Sequence, residues 1–198
     1  MTPDVLIPRL ETEILVKRAR QILQQKGNQP TIVVDIGCGS GIIGTSVADL
    51  ADEVIFLDIS PAALAVSEQN FRSHFPEKQA QFIVSDLLTS LPAIPGDSQI
   101  LLLTNLPYIK ADDWIHMSAD TVHEPRIALF GGELTGFEMY ERVFAQIAEL
   151  ELTHFQLLCE FGFDQREIAE SVLKKYPQWQ SSFFADYTGI ERFGEIII

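Results

Sequence analysis

The 198-residue sequence predicts an α/β fold. It predicts a single domain on a seven-stranded, mostly parallel sheet, with an antiparallel C-terminal hairpin and helices on both faces. Three observations carry this. Apolar runs of strand length alternate with segments of helical periodicity. The last two runs are joined by Thr188-Gly189-Ile190-Glu191, short enough for a hairpin. No internal repeat, linker or low-complexity stretch divides the chain, so residues 1–198 read as one domain.

The N-terminal segment, 1–28, ends in a helix: Glu11 to Lys26 carries Ile14, Leu15, Ala19, Ile22 and Leu23 at helical spacing, and Gly27-Asn28 stops it. Residues 31–37 (TIVVDIG) read as a buried strand, 41–51 as a helix and 53–58 (EVIFLD) as the next strand. Ser60 is a good cap and Pro61 suits a first turn, so a helix runs from there to about Phe75. Residues 80–86 and 99–105 read as strands. Residues 109–133 are polar, mixed and Gly-tailed, and form an irregular excursion with at most one short helix. A helix over 133–150, a strand over 154–161 and a helix over 164–176 capped by Asp164 follow, and strands 181–187 and 191–198 close the chain.

Composition narrows the function. The chain is 46% hydrophobic and 21% charged, as folded domains are and disordered chains are not. Its net charge of -14 repels phosphate backbones, so nucleic-acid binding is disfavoured. Lys17, Arg18 and Arg20 read as a solvated helix face. Two distant cysteines, Cys38 and Cys159, make no disulfide scaffold, and a reducing, cytoplasmic setting is expected. The opening residues carry no signal-peptide pattern, and no apolar run approaches the ~20 residues that span a bilayer. The four histidines show no metal-ligand spacing, so no metal is expected.

The first strand runs into Asp35-Ile36-Gly37-Cys38-Gly39-Ser40-Gly41. Glycines there let the backbone turn tightly and approach a ligand. The dinucleotide fingerprint needs a third glycine at 42, which is Ile42, so the loop suits a nucleoside without a pyrophosphate. Asp58, ending the second strand, can accept both hydrogen bonds of a ribose diol. At the end of the third, Asp86 can accept from an adenine amino group and Leu87 can pack on the ring. All lie at carboxyl ends of strands, where open α/β sheets bind ligands. Together they predict an S-adenosylmethionine site, with Cys38 as a small loop filler.

The fourth strand ends in Asn105-Leu106-Pro107-Tyr108. The nitrogen of a planar NH2 group is a poor nucleophile, because its lone pair is delocalised. Two acceptors on its N–H bonds orient it and stabilise the charge that develops on methylation. The Asn105 side-chain oxygen and the Leu106 carbonyl can be those acceptors. Pro107 stiffens the turn, and Tyr108 offers a flat wall. No strong base is needed, because the methylated nitrogen is itself acidic.

These residues resemble the HemK/PrmC-type N5-glutamine methyltransferases, which methylate the Gly-Gly-Gln motif of peptide chain release factors. "VLIPRLETE" (5–13), "DIGCGSGIIG", "NLPYI", "HEPRIALFGGELTGFEMYERV" (123–143) and "DYTGIERFGEIII" carry the likeness over nearly the whole chain. The resemblance implies a Rossmann-like class I methyltransferase. Gly37 to Gly41, Asp58, Leu87 and Asn105 would touch the donor, and Asn105 to Tyr108 would hold the glutamine amide of a release factor. Arg9, Glu11 and Glu13 either line the substrate cleft or cap the first helix and form surface pairs, and Glu124-Pro125 either orders the excursion that covers the glutamine or anchors an ordinary loop. Leu106 replaces the family's first proline of the turn, and Thr135-Gly136 replaces its Asp-Gly. The family usually carries an N-terminal helical domain that grips the release factor; this sequence starts almost at the catalytic domain, so either that part was removed or absent or the substrate differs. Two alternatives stay open: an adenine amino-group methyltransferase on RNA or DNA, and a donor-binding protein without catalysis.

Overall fold

A computed structural model describes residues 2–25, 27, 29–116, 124–150 and 155–197. The strands are β1 Thr31–Ile36, β2 Glu53–Asp58, β3 Ala80–Val84, β4 Gln99–Asn105, β5 Ile109–Lys110, β6 Phe130–Gly132, β7 Phe155–Glu160, β8 Gln180–Ala185 and β9 Glu191–Ile197. The helices are α1 Thr12–Gln24, α2 Ile42–Val47, α3 Pro61–His74, α4 Glu138–Glu149 and α5 Arg166–Leu173. Seven strands form the main sheet in the order β3-β2-β1-β4-β7-β9-β8. All neighbours are parallel except the pairs made by β9, which runs antiparallel between β7 and β8.

The apolar runs of the central strands supply both cores by alternation. Ile32, Val34, Ile36, Ile100 and Leu102 face one side, with Tyr140, Phe144 and Ile147 of α4. Val33, Leu101 and Leu103 face the other, with Leu15, Ala19 and Leu23 of α1 and Phe71 of α3. Phe137 and Tyr140 stack at 4.8 Å, and Phe144 meets Trp179 edge-on at 6.1 Å. Each such side chain gains about 1.5–3 kcal/mol from leaving water. After β1 the chain crosses to one face through α2, and after β4 it reaches the other through α4. A crevice therefore opens beyond the carboxyl ends of β1 and β4, where the winding reverses.

Several element boundaries correct the sequence expectation. The helix expected over 133–150 starts at Glu138. Gly136 adopts φ +75°, and the Leu134 and Thr135 amides donate to the Glu138 carboxylate, so the chain folds back before it can coil. Asp164 does not cap α5; it is exposed, and Gln165 holds the cap position. The helix expected over 41–51 is α2 followed by a 3-10 turn, Ala48–Leu50. The excursion 109–133 is more ordered than expected: β5 and β6 pair in parallel, and 3-10 turns occupy Ala111–His116 and Arg126–Ala128. Its residues 117–123, and Lys26, Asn28 and His154, lie outside the described residues. No helix among the described residues is long and apolar enough to cross a membrane.

Candidate active site

The glycine loop leaves β1 and turns back on itself through three left-handed residues, Gly37 (φ +65°), Gly39 (φ +52°) and Gly41 (φ +74°). A Cβ at Gly37 would come within 2.6 Å of the Leu106 side chain. At Gly39 a Cβ would meet nothing within 4 Å, so that face of the loop is open. Asp35 anchors the loop from behind: fully buried, it accepts the Gly44 amide of α2 at 2.8 Å. Burial, with the Asp58 charge adding to it, pushes the Asp35 carboxyl up to about 7, against the pull of that amide.

A cleft of about 210 Å³ opens in front of the loop. It is lined by the loop residues Gly37, Cys38, Gly39 and Ser40, by Asp58, Asp86 and Leu87, and by Asn105, Leu106 and Pro107. Ten of the residues expected from sequence thus meet in one place. Asp35, Gly41 and Tyr108 are not part of this wall. Asp58 is fixed by two backbone amides, Gly39 at 2.9 Å on one oxygen and Ser60 at 2.9 Å on the other. One oxygen of Asp86 is taken by Arg142 at 2.5 Å. Leu87, at φ +55°, holds a conformation that costs a side-chain-bearing residue free energy. Ser85 sustains it by donating to the Leu87 carbonyl at 2.8 Å. The Cys38 thiol is buried, and burial raises its pKa well above the ordinary value, which disfavours the reactive thiolate.

Three groups around the turn after β4 were not singled out from the sequence. The Tyr140 hydroxyl, fully buried, accepts the Leu106 amide at 2.9 Å and lies 3.3 Å from the Leu106 carbonyl. It donates to the Glu160 carbonyl. With its single hydrogen spent there, the Leu106 carbonyl keeps its capacity to accept. Thr12, on the cleft wall, donates to Glu160 Oε2 at 2.8 Å and accepts from Asn105 Nδ2 at 3.1 Å. Glu160 is 1% exposed, and burial pushes it up to about 7. It ends β7 as Asp58 ends β2, so the strand-end signal that found Asp58 was present at Glu160 as well.

The turn is pinned from outside. The Gln165 side chain donates to the Tyr108 carbonyl at 2.9 Å and the Thr135 carbonyl at 3.0 Å, and accepts the Gly162 amide at 2.9 Å. Glu124, buried, accepts the Ile7 amide at 3.1 Å and pairs with Arg9 at 2.6 Å. That pairing lays the opening segment along the cleft, where Asp4, Val5, Leu6, Pro8 and Arg9 form part of its wall. Of the acids expected beside Arg9, Glu13 pairs with Lys17 instead, at 3.8 Å, and Glu11 lies near Glu160. Among the described residues no cluster of acids, histidines and cysteines could hold a metal ion.

The family model described as Methyltransferase small domain matches residues 11–121. A release factor glutamine methyltransferase of Bordetella pertussis is 36% identical over 97% of this chain and 69% of its own length. That of Chlamydia trachomatis serovar L2 is 34% identical over 94% of this chain and 66% of its own. The chain spans about two thirds of the length of these relatives. Among solved structures, the N-terminal domain of human METTL16 superposes with a TM-score of 0.68 at 12% identity, over 100% of this chain and 73% of that one. Magnesium protoporphyrin IX methyltransferase from Synechocystis, with bound SAM, gives 0.61 at 16% identity, over 95% and 80%. At those identities the likeness concerns the fold alone.

Proposed function

The chain belongs to the release factor glutamine methyltransferase family, and on that footing we propose that it methylates the side-chain amide nitrogen of a protein glutamine. The donor is S-adenosylmethionine and the substrate is the Gly-Gly-Gln motif of a peptide chain release factor, which places the work in the cytoplasm. The observation that carries this reading is the meeting of the glycine loop with Asn105, Leu106 and Pro107 in one cleft.

The residues present suit the donor. Gly39 leaves room for close backbone approach, Asp58 keeps lone pairs for a ribose diol, and buried Leu87 offers an apolar surface for a base. When bound, the donor supplies a methyl group on a positively charged sulfur. The chain's own residues then have three tasks. Asn105 and the Leu106 carbonyl accept the two N–H bonds of the planar amide and aim its nitrogen. Their negative ends stabilise the positive charge that grows on that nitrogen. Pro107, with Tyr140 and Gln165 behind the turn, keeps the two acceptors fixed in place. The Tyr108 carbonyl is held by the Gln165 side chain, which fixes the residue that follows Pro107.

The test is incubation with labelled donor and a release factor. Label is expected on the native factor and absent from its Gln-to-Ala variant. Label on the variant, or none on the native factor, would sink the proposal. Methyl transfer to bare RNA that weakens steeply with salt would favour the adenine reading instead. Donor binding without turnover on any amide or amine would favour a binding protein.

A further inference from the structure

Asn105 can meet a substrate NH2 group with its oxygen, which attracts it, or with its own NH2 group, which repels it. The two arrangements differ by a half-turn of the side-chain amide and have nearly the same shape. The network behind Asn105 distinguishes them. Parallel register sets Asn105 of β4 opposite Glu160 of β7. Thr12 sits between their side chains, 2.8 Å from Glu160 Oε2 and 3.1 Å from Asn105 Nδ2. Thr12 and Glu160 are 5% and 1% exposed, so water does not readily substitute for either contact.

The polarity of this chain is forced from its far end. An ionised carboxylate only accepts, so the Thr12 hydroxyl must spend its one hydrogen on Glu160. The Thr12 oxygen can then only accept, and the group facing it must be the Asn105 NH2. That leaves the Asn105 oxygen turned away from Thr12. We propose that Glu160 and Thr12 are positioning residues that act through Asn105: they fix its amide so that the oxygen, not the NH2 group, meets the substrate nitrogen. The proposal rests on the glutamine-methylation reading for its kinetic consequence, but not for the orientation itself.

Protonation of Glu160 removes the constraint. A neutral carboxyl can donate to Thr12, whose hydroxyl can then donate to the Asn105 oxygen, and the amide reverses. Burial holds the Glu160 carboxyl at about 7, so the constraint forms as pH rises through neutrality. The other groups facing it are Glu11 at the start of α1, Arg192 of β9, Tyr108 of the turn and Tyr140 of α4. Glu11 adds to the upward push on Glu160, and Thr12, Arg192 and the Asn105 amide, which also faces the carboxylate directly, oppose it.

The experiment compares Thr12→Ser, Thr12→Val and Glu160→Gln in the full chain. It measures kcat, donor affinity, melting temperature and the side-chain amide NMR signals of Asn105, assigned by their loss in Asn105→Asp. Thr12→Ser keeps the hydroxyl, so kcat should stay within about twofold of wild type and the amide signals near their places. Thr12→Val removes it, so kcat should fall about tenfold or more with donor affinity unchanged, and the amide signals should move. Wild-type kcat should rise between about pH 6 and 8, and in Glu160→Gln it should be lower and flat over that range. Wild-type turnover by Thr12→Val, or equal loss in Thr12→Ser, would overturn the proposal, as would an unchanged pH profile in Glu160→Gln. A wild-type protein that methylates no glutamine defeats the functional reading alone. The Asn105 signals in Thr12→Ser and Thr12→Val then decide the orientation without any substrate.

Discussion

At Asp35 a carboxylate lies wholly out of water, with one oxygen on the Gly44 amide and the other without a hydrogen-bond partner among the described residues. Its pKa of about 7 in the folded chain lies above the value of about 4 for an unfolded aspartate. Between those values the folded chain holds a proton that the unfolded chain has released. Stability therefore falls as pH rises through that window, and the full cost is present above about 7. Glu160 acts in the same sense. Melting should come a few degrees lower at about pH 8 than at about pH 5.5, and Asp35→Asn should shrink that difference. An undiminished difference in the variant would place the titration elsewhere. At this scale the sequence reading found Asp58 and Asn105 at strand ends but missed Glu160 and put Asp35 in the cleft. Strand alternation turns it instead toward the side of the sheet that carries α2.

At the scale of elements, the turn after β4 is held by backbone that passes unusually close. A Cβ at Gly136 would lie 2.2 Å from the Tyr108 carbonyl oxygen, and one at Gly131 would lie 2.3 Å from that of Pro107. Gly136 also needs its φ of +75°. Gly136→Ala should therefore displace the turn and lower kcat by about tenfold or more, while donor affinity stays near wild type. Equal loss of both would instead signal general unfolding. The replacement of Asp-Gly by Thr135-Gly136 has a physical account here. Thr135 accepts the Phe137 amide at 3.1 Å and donates to Glu138 at 3.2 Å, which holds the reversal just ahead of α4. Periodicity alone ran that helix back to 133, because a reversal made by one glycine and one carboxylate leaves no periodic trace.

At the scale of the molecule, the seven strands and the antiparallel closing hairpin were readable, because the central strands are mostly apolar and buried on both faces, but the order of the strands was not predicted. Nor were the Thr12–Glu160 and Asn105–Thr12 bonds readable. They join residues 148 and 93 positions apart, and only the strand order brings them together. The net charge of -14 also acts globally. Self-repulsion loosens the compact state and salt screens it, so moderate sodium chloride should raise the melting temperature. A fall over the same range would mean that ion pairs such as Arg18–Glu195 and Arg20–Asp49 outweigh the repulsion. The course of β9 bears on how the protein can be handled. Its end pairs with Gln156 and Gln180, whereas Phe193 sits beside Glu160. A dye, bead or sensor chip tethered through the final residues would thus stand about 15 Å of strand away from Glu160, leaving the cleft mouth unobstructed. A tether at the first residues would sit beside the lip formed by Asp4 and Val5, at the edge of the cleft.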